Sequence, residues 1–178
     1  MVRIVFLFGM ICLLFACSNP EPRKPIIRKT SSFMNESIER NKVLIQLEEE
    51  LLKQKMDGDS LHTYVNSEHG FWYYYEKKDT LNFKTPVKGD EVVFSYEIKD
   101  LRDSIIYSKE ELGIRNYLVD KEDLLTGLQE GIKLMKEGEI VTFLFPSYLA
   151  FGYTGFEKIQ TNQPLIFTVQ LNKIITNN

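Results

Sequence analysis

The side chains of this chain that could do acid–base, nucleophilic or metal chemistry are few and poorly spaced for it. His62 and His69 stand seven positions apart beside Gly70, with no cysteine or further histidine at ligand spacing, so they are better described as surface histidines than as a metal pair. No serine or cysteine is matched with a base in a nucleophile pattern, and no glycine-rich phosphate loop is present. What remains is the segment Leu125-Thr-Gly-Leu-Gln-Glu-Gly-Ile-Lys-Leu-Met-Lys-Glu-Gly-Glu-Ile-Val-Thr-Phe-Leu-Phe-Pro-Ser-Tyr-Leu-Ala-Phe-Gly152, in which glycines alternate with apolar and aromatic residues. These residue types suit an aromatic-rimmed binding cleft from which water is excluded.

The elements that must position such a cleft follow from periodicity. Thr126 and Gln129 have capping-box spacing, and Leu128, Ile132 and Met135 fall at i, i+4 and i+7, which predicts a short helix ended by Gly138. Gly127 and Gly131 lie one turn apart inside it. Each costs about 1 kcal/mol against alanine in a helix, which implies close approach to a sheet. Strands are predicted at Phe71-Trp-Tyr-Tyr-Tyr75, at Val92, Phe94, Tyr96 and Ile98 after the Lys88-Gly89-Asp90 turn, and over 104–108, 116–119, 139–146 and 165–174. One helix among antiparallel strands is an α+β arrangement, the helix crossing the concave face of the sheet.

Three pieces of this pattern resemble the FKBP-type peptidyl-prolyl isomerases: the glycine-bearing helix with its following strand and Pro146-Ser-Tyr-Leu-Ala-Phe-Gly152 loop, the closing strand Pro164-Leu-Ile-Phe-Thr-Val-Gln-Leu171, and the opening strand Gly89-Asp-Glu-Val-Val-Phe-Ser-Tyr96. The resemblance spans roughly residues 70 to 175. It implies a curved antiparallel sheet wrapped around one short helix, and a cleft walled by Tyr96, Tyr107, Leu124, Leu125, Leu128, Phe151, Ile159 and Phe167. In that family a backbone amide at the position of Leu124 and Leu125 commonly bonds the ligand, and Leu128 matches the pocket floor. Three positions depart from the pattern: Phe151 replaces a tyrosine, Ser108 an aspartate, and Arg115 stands near a usual phenylalanine. No cofactor is implied.

The head of the chain carries a separate signal. Arg3 precedes an apolar run, Ile4 to Ala16, too short to cross a bilayer at about 20 residues per span but matching a signal-peptide core. It ends at Leu14-Phe-Ala-Cys17, which looks like a bacterial lipobox with Cys17 as the acylated residue. The alternative is an ordinary secretory signal cut nearby. Cys12 and Cys17 are the only cysteines, so the mature domain is expected to lack both thiol and disulfide. Loss of residues 1–16 removes one of 22 basic residues against 25 acidic ones, leaving about −4, a balance that argues against nucleic acid as a partner.

Residues 17–31 are proline-rich and polar and are expected to form an extended spacer, followed by a helical extension over 32–69 and the domain proper over 70–178. Within the extension a helix is predicted from Ser32 to about Met56, stopped by Asp57-Gly58-Asp59. Its stripe of Met34, Ile38, Ile45 and Leu52, widened by Leu44, Leu47 and Leu51, has two readings: packing on its own domain or standing as a stalk, and pairing as a homodimer. Glu48-Glu-Glu50 is expected to be a solvated face.

With its lipobox and extension, the chain looks like the gliding-motility-associated FKBP-type lipoproteins of gliding bacteria. That likeness implies a membrane-anchored lipoprotein facing the periplasm and acting on proline-containing clients in the cell envelope. Two functions stay open: an isomerase of X-Pro bonds, and a weakly active or inactive FKBP-fold binding or holdase module at the membrane.

Overall fold

A computed structural model describes residues 30–176, with side chains from Met34 onward. The signal-peptide core, the lipobox with Cys17 and most of the proline-rich spacer lie outside the described residues. The chain divides into one unit up to Ser37 and a second, compact unit from Ile38 on, which carries the site.

Helix α1 spans Thr30–Asp57. The strands are β1 (Val65–Asn66), β2 (Trp72–Lys77), β3 (Glu91–Lys99), β4 (Ile105–Tyr107), β5 (Ile114–Leu118), β6 (Ile140–Phe145) and β7 (Leu165–Ile175). Between them lie a one-turn helix α2 (Lys109–Leu112), helix α3 (Thr126–Lys133) and a 3-10 turn at Ser147–Leu149. All seven strands join one antiparallel sheet in the order β1-β2-β6-β7-β3-β4, with β5 pairing the first half of β3 on the same side as β4. The long β3–β7 pairing sets Tyr96 opposite Val169 and Ile98 opposite Phe167, and β6 sets Phe143 opposite Phe167.

Strand β3 buries every second residue, Val92, Phe94, Tyr96 and Ile98, as its sequence alternation requires of a half-covered strand. These side chains, with Val141, Phe143, Phe145, Phe167 and Val169, form the face on which Leu128, Ile132 and Met135 pack. The two helix glycines make the approach possible. A Cβ on Gly127 would stand 2.7 Å from the Phe145 ring, and one on Gly131 would stand 3.0 Å from that of Phe143.

Helix α3 begins at Thr126 as expected, but its cap and its end differ from the expectation. The capping box does not form: Thr126 is already helical, no side chain caps the turn, and Gln129 donates its amide to the Leu124 carbonyl at 3.0 Å. The helix also stops earlier, with Leu134 at its C-terminal boundary. Gly138, at φ 84°, serves the turn into β6, where its N–H donates to Leu171 at 2.7 Å.

On the opposite face of the sheet, Leu144 and Ile166 pack with Leu52 of α1, flanked by Met56, Tyr64 and Trp72. The second half of α1 therefore packs on its own domain. Of the helix stripe, Leu52 is fully buried and Ile45 half-buried, whereas Ile38, Leu47 and Leu51 stay exposed. Glu48 corrects the expectation of a solvated acidic face: it is 6% exposed, and its carboxylate accepts the backbone N–H and the hydroxyl of Ser147 at 2.6 and 2.7 Å. Sequence periodicity missed it because a glutamate in an acidic run carries no sign of a partner 99 positions away.

Candidate active site

Tyr96 comes from the middle of β3 and Phe167 from β7, and their rings stack at 5.9 Å with 15° between planes. Phe145 closes on Phe167 from the β6 side at 5.2 Å. Leu128 reaches the same cluster from α3, Leu124 and Leu125 lead into that helix, Tyr107 ends β4, and Phe151 and Ile159 come from the loop between β6 and β7. All eight residues singled out in the sequence thus belong to one contiguous apolar cluster.

They do not all face solvent. Leu128 and Phe167 have no exposed surface, Ile159 and Tyr107 are nearly covered, and Tyr96 keeps 9%. Leu124, Leu125 and Phe151 are half-buried, so they and the small exposed part of Tyr96 are what these eight residues present to solvent. Among the described residues the Leu125 N–H has no hydrogen-bond acceptor, as befits a donor at the start of a helix whose first amides lack intrahelical partners. The exposed part of the cluster is therefore apolar, with one backbone donor at Leu125.

Local sequence explains how the loop elements reach the cluster. Gly155 turns the chain at φ 65°, where a Cβ would come within 2.5 Å of the Ile159 carbonyl, and Phe156 and Ile159 then bond each other through both backbone pairs at 2.9 and 2.7 Å. Phe156 stacks on Phe151 at 5.5 Å. The Tyr107 hydroxyl donates to Glu157 at 2.9 Å and accepts the Lys158 N–H at 3.3 Å, while the Lys158 ammonium lies 4.6 Å from the Tyr107 ring and pairs with Glu111. The Tyr107 hydroxyl thus ties the end of β4 to the 155–160 loop, and the Lys158–Glu111 pair ties that loop to α2, a role that the aromatic character of Tyr107 alone did not reveal.

The three departures have visible consequences. Ser108 caps α2, its hydroxyl accepting the Glu111 N–H at 3.3 Å, so it holds backbone where the family pattern has a carboxylate. Arg115 is exposed on β5 opposite Phe94. Phe151 presents a ring without a hydroxyl. Burial raises the phenol of Tyr96 above its ordinary range, only partly offset by Arg115, and burial raises that of Tyr107 as well. Both rings are neutral at physiological pH.

Comparison with known proteins agrees with this geometry. The chain is 35% identical over 92 residues to a probable FKBP-type peptidyl-prolyl cis-trans isomerase, FkpA, of Neisseria meningitidis serogroup B. That match covers 51% of this chain and 34% of the relative, so it spans about a third of the relative's length. In fold, the chain is similar to the crystal structure of FkpA from Escherichia coli, with a TM-score of 0.60, 19% identity, and coverage of 95% of this chain and 80% of that one. A second neighbour is a peptidyl-prolyl cis-trans isomerase from Pseudomonas syringae pv. tomato, with a TM-score of 0.58, 17% identity, and coverage of 76% and 96% respectively. At these identities the two structures speak to the fold alone. The sequence profile of the FKBP-type peptidyl-prolyl cis-trans isomerase family matches residues 83–172, the stretch that holds every wall residue named above, and the chain belongs to that family.

Proposed function

We propose that this domain isomerises X-Pro peptide bonds by receiving the proline at the rim formed by Tyr96, Leu124, Leu125 and Phe151. The reaction breaks no covalent bond and moves no proton. Its barrier of about 18–20 kcal/mol is lost amide resonance, and the twisted form at the top has a less polarised carbonyl than the planar amide. Water favours the planar form. An apolar surface that excludes water binds the twisted form better than the ground state, and that difference is the catalysis. The Leu125 N–H would fix the substrate backbone while the rim rings hold the proline. A site without acid, base or ion is sufficient for this reaction.

The observation that carries this reading is the convergence of all eight wall residues, drawn from β3, β4, β7, α3 and two loops, on one apolar cluster. A protease-coupled proline-peptide assay on the full chain tests it. Turnover above background in the native chain that falls in Phe151→Ala and Leu124→Ala, with unfolding temperatures kept, is the expected result; background turnover in the native chain rejects it. A second reading, an FKBP-fold binder or holdase, is favoured by the complete coverage of Leu128 and Phe167. It predicts peptide retention without turnover.

The clients in this proposal are proline-containing segments of exported envelope proteins, in a setting that includes motility or secretion machinery. Acylation at Cys17 would hold the protein to a membrane facing the periplasm, since two or more acyl chains give stable anchoring where one is marginal. Cys17→Ser should move the protein from the membrane fraction to the supernatant. Pairing of two chains through α1, whose Leu47 and Leu51 are exposed, remains part of the proposal and is checked by sedimentation.

A further inference from the structure

We infer that Glu48 of α1 is a positioning residue for the candidate site, holding the loop that carries Phe151; this rests on reading that loop as substrate wall. A carboxylate nine-tenths buried is costly unless its oxygens are hydrogen-bonded, and both are: one accepts the Ser147 N–H at 2.6 Å, the other the Ser147 hydroxyl at 2.7 Å.

Ser147 is the residue from which the loop is hung. Its carbonyl accepts the N–H of Ala150 at 2.9 Å and that of Gly152 at 2.8 Å, so the two residues flanking Phe151 are both tied to it. Fixing Ser147 from outside therefore fixes the backbone on either side of the Phe151 ring. Packing does not do this alone, because a cavity of about 360 Å³ lies between α1 and the loop, walled by Leu44, Ile45, Tyr148, Phe151 and Tyr153. With a gap that size beside it, the loop beyond Ser147 is held to the helix by the two hydrogen bonds, while Leu52, one turn on, packs the helix on Leu144 and Ile166. The extension is thereby coupled to the substrate wall by one side chain.

Hydrogen exchange and turnover in the full chain test this with Glu48→Ala, Glu48→Gln and, as an exposed control on the same helix, Glu50→Ala. In Glu48→Ala the amides of 147–152 should exchange about 10- to 100-fold faster, the size expected from losing charge-assisted bonds to buried donors. KM for the proline peptide should rise more than kcat falls. Glu48→Gln keeps the volume and one acceptor, so it should lie between, and Glu50→Ala should match the native chain. Loop exchange within twofold of native in a folded Glu48→Ala or Glu48→Gln, or acceleration spread evenly over β3, β6 and β7, overturns the assignment. Background turnover in the native chain would sink the isomerase reading instead, while loop-confined exchange would still support Glu48 as the residue that holds the loop.

Discussion

Phe151 is where a single atom separates this site from the family pattern. The missing phenol removes one donor to the substrate, and such a bond is worth about 0.5–1.5 kcal/mol. Phe151 is half-buried and stacks on Phe156, outside the fully covered part of the core, where an added hydroxyl is tolerated most easily. Phe151→Tyr should raise kcat/KM for a proline peptide about two- to tenfold with little change in melting temperature. A rate unchanged or lower would show that the loop does not face the substrate. Residue depth also dictates which substitutions inform on function. Phe167 and Leu128 are fully covered, and truncating such residues costs about 2–5 kcal/mol, so their loss reports on folding before it reports on catalysis. Rim residues separate the two effects.

At the scale of elements, the contact of α3 with β6 sets the geometry of the cluster. Gly127 and Gly131 each give up about 1 kcal/mol of helix propensity, and alanine would recover it were there space. At Gly127 the new methyl would meet the Phe145 ring at 2.7 Å, and that ring is itself locked against Phe71, Phe143 and Phe167. Overpacking of this kind costs about 1–3 kcal/mol and exceeds the gain. Gly127→Ala should therefore lower stability in urea denaturation by up to about 2 kcal/mol net. At Gly131 the contact is 3.0 Å, a smaller intrusion, so Gly131→Ala should cost less. The reverse ranking would mean that α3 does not lie on β6 in this register.

For the whole molecule, pH should act on stability and activity separately. Asp59 is held below the ordinary carboxylate range, first by the hydrogen bond with His62 and then by the Leu61 N–H and the Tyr64 hydroxyl; Asp79 is lowered chiefly by the Leu81 N–H, and Glu110 by its own backbone N–H and Ser108. A carboxyl group whose folded value lies below its unfolded one stabilises the fold above the unfolded value, about pH 4, and loses that contribution as pH falls through the folded value. Denaturant midpoints should thus be steady from neutrality down to about pH 5 and decline below about pH 4. Turnover should be flat between about pH 6 and 9, because the isomerisation transfers no proton and the phenol of Tyr96, whose ordinary value already lies above that window, is raised further. A bell-shaped profile in that range would require an acid or base that the cluster does not contain.

Much of this architecture is local and could be read along the chain. Alternation in β3, the aromatic run of β2 and the apolar stripe of α3 report burial directly, because side-chain period follows backbone geometry, and the eight wall residues came from a family pattern carried on that framework. Tertiary structure decided what depends on partners distant in sequence. The Glu48–Ser147 bonds join positions 99 apart, and the burial of Glu48 overturned a reading that treated its neighbours as its environment. Thr126 and Gln129 had the spacing of a cap but not the backbone conformation for it, and Ser108 proved to hold a one-turn helix too short for periodicity to signal. Which wall residues meet solvent was likewise settled only when β3, β7 and α3 came together. Exposure is a property of packed surfaces, and no single segment encodes it.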